Sequence, residues 1–157
     1  MIRLFSDGSV NTQTHVGFGS YLLVPDDTAS EALETLHVKS KAFHKTSSTK
    51  LELQTLLWAL EEVKELDEEI VIYTDSQNII SLPNRRERFE CNGYETKKKK
   101  IHEHAALYQT FYRVMDDMKC SLMKVKGHKL TCDKDEIDRY FTLVDRASRE
   151  ALRKSSL

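Results

Sequence analysis

A chain of 157 residues, 39% hydrophobic and 31% charged, is long enough to bury a sizeable core and reads as a single domain over residues 1–157. Its apolar runs are far too short to span a bilayer, and Met1-Ile2-Arg3-Leu4-Phe5 lacks the apolar stretch and cleavage site of a signal peptide. With a net charge of −1 the chain is not broadly basic, so any grip on phosphates must come from local clusters: Arg85, Arg86 and Arg88, then Lys97 to Lys100, then Lys124, Lys126 and Lys129.

Residues 2–7 and about 18–24 are apolar-rich and β-prone, with a Gly/Asn/Thr-rich loop between them. Pro25-Asp26-Asp27 is a turn signal, and residues about 32–44 offer a third strand, so the N-terminal third predicts an antiparallel meander. Ser47-Ser48-Thr49 supplies an N-cap, and Leu53, Leu56, Leu57, Leu60 and Val63 follow at helical spacing, which predicts a helix over 49–66. Ile70-Val71-Ile72-Tyr73 has no helical period and reads as a buried central strand within 69–75. A short helix is expected from Ser76 to a stop near Pro83. Residues 84–100 are polar and basic and read as an exposed excursion. Ile101, Tyr108, Phe111, Tyr112, Met115 and Met118 form an apolar stripe that predicts a helix near 100–118. A fifth strand over 122–125, a polar loop over 127–136 and a last helix to about Arg153 complete the chain. The order β-β-β-α-β-α-α-β-α predicts an α/β fold: a mixed five-stranded sheet, its first three strands antiparallel and the last two parallel, flanked by helices.

Cys91, Cys120 and Cys132 are odd in number and lack CxxC spacing, which argues for reduced thiols in a cytoplasmic protein and against a disulfide framework or structural zinc. His15, His37, His44, His102 and His104 offer no third ligand for a zinc site.

Four acids stand in recognisable contexts: Phe5-Ser6-Asp7-Gly8-Ser9, Lys50-Leu51-Glu52-Leu53, Ile72-Tyr73-Thr74-Asp75-Ser76 and Val144-Asp145-Arg146-Ala147. Two end predicted strands and two sit on predicted helices. Mg²⁺ takes oxygen ligands in tight octahedral geometry, and regular elements can hold such ligands still. Clustered carboxylates repel one another, which raises their pKa values and favours uptake of a cation.

With Val125-Lys126-Gly127-His128 and Thr74-Asp75-Ser76-Gln77 added, the chain resembles the type-1 ribonuclease H family over nearly its whole length. The resemblance implies a ribonuclease H-like fold and a monomeric endonuclease. Such an enzyme cuts the RNA strand of RNA–DNA hybrids to 5′-phosphomonoesters with two Mg²⁺ ions, or Mn²⁺. It assigns Asp7 as the ligand shared by both ions, with Glu52, Asp75 and Asp145 completing the set. His128 takes the role of a helpful proton shuttle. Gly8, Ser9, Ser48, Thr49 and Gln77 fall where the family contacts the hybrid, whose 2′-hydroxyls are what distinguish RNA from DNA.

The chain departs from that pattern in four places. The loop Val10-Asn11-Thr12-Gln13-Thr14-His15-Val16-Gly17 holds fewer glycines than the family's. Ser48 and Thr49 stand where the family has two asparagines, and shorter hydroxyls imply weaker or altered hybrid binding. The basic segment 84–100 contains no tryptophan, and Trp58 lies on the first long helix. The gap from His128 is long, so Asp138, two helical turns before Asp145, is an alternative fourth acid. Two rival readings stay open: a nuclease with another nucleic-acid substrate, or a nucleic-acid-binding module with weakened activity.

Overall fold

The computed structural model describes residues 1–25, 37–126 and 135–156. Strands β1 (Ile2–Asn11) and β2 (Val16–Pro25) form a long antiparallel hairpin, registered from Ile2 opposite Pro25 to Asn11 opposite Val16. The segment expected to be a loop is therefore mostly strand. The turn shrinks to residues 12–15 because the Asn11 side chain accepts hydrogen bonds from the N–H groups of Gln13 and Thr14, at 2.9 and 3.3 Å.

Strand β3 (Lys39–Phe43) pairs antiparallel with β2 and is shorter than its predicted span. Helix α1 (Ser48–Val63) follows, capped by Ser47, and tightens into a 3₁₀ turn at Lys64–Leu66. Then come β4 (Ile70–Thr74), α2 (Gln77–Cys91), α3 (Ala105–Asp117), β5 (Cys120–Lys124) and α4 (Glu136–Ser155). The sheet order is β3-β2-β1-β4-β5, with β4 parallel to both β1 and β5. This is the mixed sheet the element order predicts.

Side-chain alternation along the strands makes two cores. Leu4, Tyr21, Ile70 and Ile72 pack with α1, α2 and α3, while Phe5, Leu22 and Val24 pack with Tyr140, Phe141 and Val144 of α4. On β1 the odd residues thus face α4 and the even ones face α1.

Pro83 does not stop α2; it sits inside it. Proline removes one backbone hydrogen bond and crowds the preceding turn. Burial of Ile79, Leu82 and Phe89 offsets that loss, as does the Tyr112 hydroxyl, which reaches from α3 to the Leu82 carbonyl at 2.7 Å. The expected excursion therefore splits: 84–91 is helix, and the rest is irregular and exposed except for the buried Tyr94. Tyr94 stacks on Phe89, and an antiparallel bridge between Glu95 and Ile101 frames Lys97 to Lys100 at an exposed tip.

The close fit of α1 to the hairpin depends on missing side chains. A Cβ on Gly8 or Gly17 would stand 2.9 or 2.7 Å from Leu51 Cδ2, and one on Gly19 would stand 1.9 Å from Thr55 Oγ1. Gly19→Ala is expected to destabilise the protein by about 1–3 kcal/mol, as overpacked core sites do. Equilibrium urea unfolding measures this, and an unchanged midpoint would contradict the packing argument.

Candidate active site

Asp7 is an odd residue of β1 and so lies on the α4 side. The parallel pairing of β1 with β4 ends at Phe5 opposite Tyr73, two residues short of Asp7 and Asp75. The strands part there, and the two acids stand at the mouth of the gap.

Glu52 comes to the same place from the other face. It lies one turn into α1, beside Leu51 and Thr55, the residues seated over the bare glycines. The Ser76 hydroxyl donates to Glu52 Oε2 at 2.6 Å and accepts from the Ile79 N–H at 3.2 Å. One side chain thus caps α2 and orients an acid. Its signal in the sequence was faint, a serine directly after Asp75.

The placement of α4 decides which of its acids meets Asp7. Glu136 pairs with Arg3 at 3.7 Å, and the rings of Tyr140 and Phe5 lie 5.3 Å apart. From Arg3 to Asp7 a strand rises about 13 Å, and from Glu136 to Asp145 a helix rises about 14 Å. Asp145 therefore arrives beside Asp7 and shares a hydrogen bond with its carboxyl. Asp138 lies about 10 Å short of that point. Its carboxylate accepts from the Asp135 N–H at 3.1 Å, and the Asp135 side chain accepts from the Asp138 N–H at 2.9 Å, in a reciprocal capping box.

The acids perturb one another. Burial, then the charge of Asp75, then the hydrogen bond with Asp145 push the Asp7 carboxyl up to about 8; only the Gly8 N–H pulls the other way. Burial also raises Glu52, and Asp75 adds to the rise, against the opposing bond from Ser76. The site is therefore short of positive charge, and its donors are hard oxygens of the kind Mg²⁺ prefers. Among the described residues no three His, Cys, Asp or Glu side chains converge tightly enough to cage an ion. The acids meet as neighbours rather than as a closed shell.

The other predicted site residues fall as follows. Gly8 and Ser9 continue β1, Ser48 and Thr49 open α1, and Gln77 opens α2, its Oε1 accepting from Lys124 Nζ. His128 and the polar loop around it lie outside the described residues, as does Cys132. Of the expected phosphate clusters, Arg86 forks onto Asp116 at 2.6 and 2.8 Å, and Arg85 bonds Asn78 at 2.8 Å while covering Phe89. Arg86 is taken up in joining α2 to α3 and Arg85 in contacts within α2, while Lys97 to Lys100 remain exposed.

One feature has no linear signature. A cleft of about 430 Å³ beside the start of α1 is lined by His15, Lys45, Thr46, Ser47, Lys50 and His104, among others. These residues come from three separate segments. His15 and Lys45 both take left-handed backbone, with φ of 58° and 52°, and strained backbone of this kind clusters at ligand sites.

The chain belongs to the RNase H family, whose model matches residues 1–150. The prototype foamy virus (PFV) RNase H domain is similar in fold, at 14% identity and a TM-score of 0.72 over 95% of this chain and 92% of that one. The native prototype foamy virus protease-reverse transcriptase is similar at 13% identity and a TM-score of 0.74, and the foamy viral protease-reverse transcriptase in complex with RNA/DNA hybrid at 11% and 0.70. The chain covers 20% and 19% of the length of those two. No curated protein matches the chain.

The crowding of Asp7 carries a sign. Its carboxyl rises from 3.8 to about 8 on folding. Below about pH 4 folded and unfolded chains both hold the proton. Between about pH 4 and 8 only the folded chain does, so this group's ionisation makes folding progressively less favourable, and above about pH 8 the loss is complete. Asp7→Asn should therefore raise the melting temperature of the metal-free protein at pH 8 and leave it little changed at pH 4. Thermal unfolding in EDTA across that range checks it; a variant no more stable than wild type at pH 8 contradicts the reading.

Proposed function

We propose that this chain is a metal-dependent endoribonuclease that hydrolyses the RNA strand of RNA–DNA hybrids. The observation that carries the proposal is the meeting of Asp7, Glu52, Asp75 and Asp145 at the parting of β1 and β4, in a member of the RNase H family.

In this reading Asp7, Glu52, Asp75 and Asp145 would hold two Mg²⁺ or Mn²⁺ ions. Such ions, when bound, activate water at neutral pH and stabilise the leaving oxygen. The protein's own part is to keep the ligands in place. Ser76 steers Glu52, the glycine track sets the depth of α1, and the hairpin and α4 bring Asp7 and Asp145 together. His128 is assigned the movement of a proton near the attacking water, suited to an imidazole that titrates near neutrality.

The hybrid is read by its shape and its 2′-hydroxyls. We assign those contacts to Gly8, Ser9, Ser48, Thr49 and Gln77. The cleft that Lys45 and Lys50 border would take a backbone phosphate, and Lys97 to Lys100 would meet the flanking backbone. The foamy viral protease-reverse transcriptase similar in fold occurs in complex with RNA/DNA hybrid and in complex with dsDNA, which supports a nucleic-acid duplex as the substrate class.

Purified protein with Mg²⁺ or Mn²⁺ should cleave the RNA strand of a labelled hybrid well ahead of duplex RNA or duplex DNA. EDTA should stop the reaction, and Asp7→Asn should lower the rate by about a hundredfold or more. Intact protein that fails to cut a hybrid across several metals and salts would falsify the proposal.

Replacing Lys97 to Lys100 with alanine should weaken hybrid binding. It should also lower the slope of log affinity against log salt by about 1 for each lysine that meets a phosphate. An unchanged slope assigns the tip to solvent.

A further inference from the structure

Asp145 is held between an acid and a base. Its Oδ1 accepts from Arg149 Nε at 3.0 Å, one helical turn further on, and its carboxyl also bonds Asp7. The arginine side chain is 62% exposed and Asp145 is 32% exposed. A pair this open adds little to helix stability, so its weight lies in the charge it brings to a crowded acidic site. The groups that act most strongly on Asp7 and Glu52 are Asp75, Asp145 and Ser76, none of them cationic. Arg149 also has somewhere to go. With Arg146, Glu150 and Arg153 it borders an open shelf of about 300 Å³ on α4, so the guanidinium can turn into water without stranding a buried donor.

We infer that Arg149 is a positioning residue that serves Asp145 as a resident counter-cation. It holds this carboxylate in the ion-free protein, is displaced when a divalent ion claims the same oxygens, and so sets the free-ion concentration at which the site fills. The inference rests on reading the four acids as a divalent-ion site.

Two effects compete when Arg149 is removed. Asp145 loses its orienting partner, which weakens ion binding. The site also loses the positive charge held 3.0 Å from Asp145 Oδ1, which would oppose a cation at that carboxylate, and this strengthens ion binding. Coulomb repulsion at that range outweighs the small orienting worth of an exposed i,i+4 pair. Removal should therefore tighten ion binding.

Titration calorimetry of the full chain with Mn²⁺ tests this in wild type, Arg149→Gln, Arg149→Lys and Asp7→Asn. Arg149→Gln should bind Mn²⁺ about fivefold more tightly than wild type. Arg149→Lys, which keeps the charge, should stay within about twofold of wild type. The rise in melting temperature on saturation with Mn²⁺ should be larger for Arg149→Gln than for wild type, by linkage. Equal or weaker binding by Arg149→Gln overturns the inference. If wild type and Asp7→Asn give the same heats, the ion site itself is wrong and the role of Arg149 falls with it. If Asp7→Asn abolishes binding while Arg149→Gln matches wild type, only the role of Arg149 falls.

Discussion

The depth at which α1 sits on the β1–β2 hairpin governs this molecule's chemistry. Gly8, Gly17 and Gly19 leave a bare track, and Leu51 and Thr55 lie down in it with no room for a methyl group. A Cβ at Gly19 would meet Thr55 down to its own Cβ, at 2.8 Å, and so lift the helix and draw Glu52 away from the end of the sheet. The same closeness packs Leu53, Leu56 and Leu60 against Leu4 and Ile72. Core and site therefore share one constraint, and substitutions along that track should couple stability to function.

Against that favourable packing stands electrostatic repulsion. Asp7 lies beside Asp75 and Asp145 in a partly buried place, and its carboxyl holds a proton near neutral pH in the absence of a cation. Folding thus stores repulsion that an arriving cation would relieve, in keeping with strongly shifted groups marking functional sites. Among the described residues, the Ser76 hydroxyl on Glu52 and the Arg149 guanidinium on Asp145 ease this repulsion. The near-neutral net charge of the chain hides this. Lysines gather at the exposed tip and beside the start of α1, while Arg86 is spent on joining α2 to α3 and Arg85 on contacts within α2.

Much of the architecture was legible in the chain. The leucine spacing after Ser47 marks α1, and the short β-branched run Ile70 to Tyr73 marks a central strand. The expected elements that shifted did so for tertiary reasons. Pro83 reads locally as a stop, but burial of Leu82 and Phe89 against α3 carries α2 through it. Val10 to Gly17 reads locally as a loop, but pairing across the hairpin and the Asn11 turn confine the turn to residues 12–15.

The sequence by itself determined the order of elements and the local settings of Asp7, Glu52 and Asp75, because hydrophobic period and strand ends are written in neighbouring residues. It left Asp138 and Asp145 as rivals, since both occupy one helix two turns apart and local pattern carries no ruler. The tertiary structure decided which of them meets Asp7. With α4 anchored by Glu136 at Arg3, the rise of nine helical residues matches that of four strand residues. The cleft beside α1 and the pairing of Arg86 with Asp116 were likewise decided only in three dimensions, because each depends on which side chains the packed elements bring together.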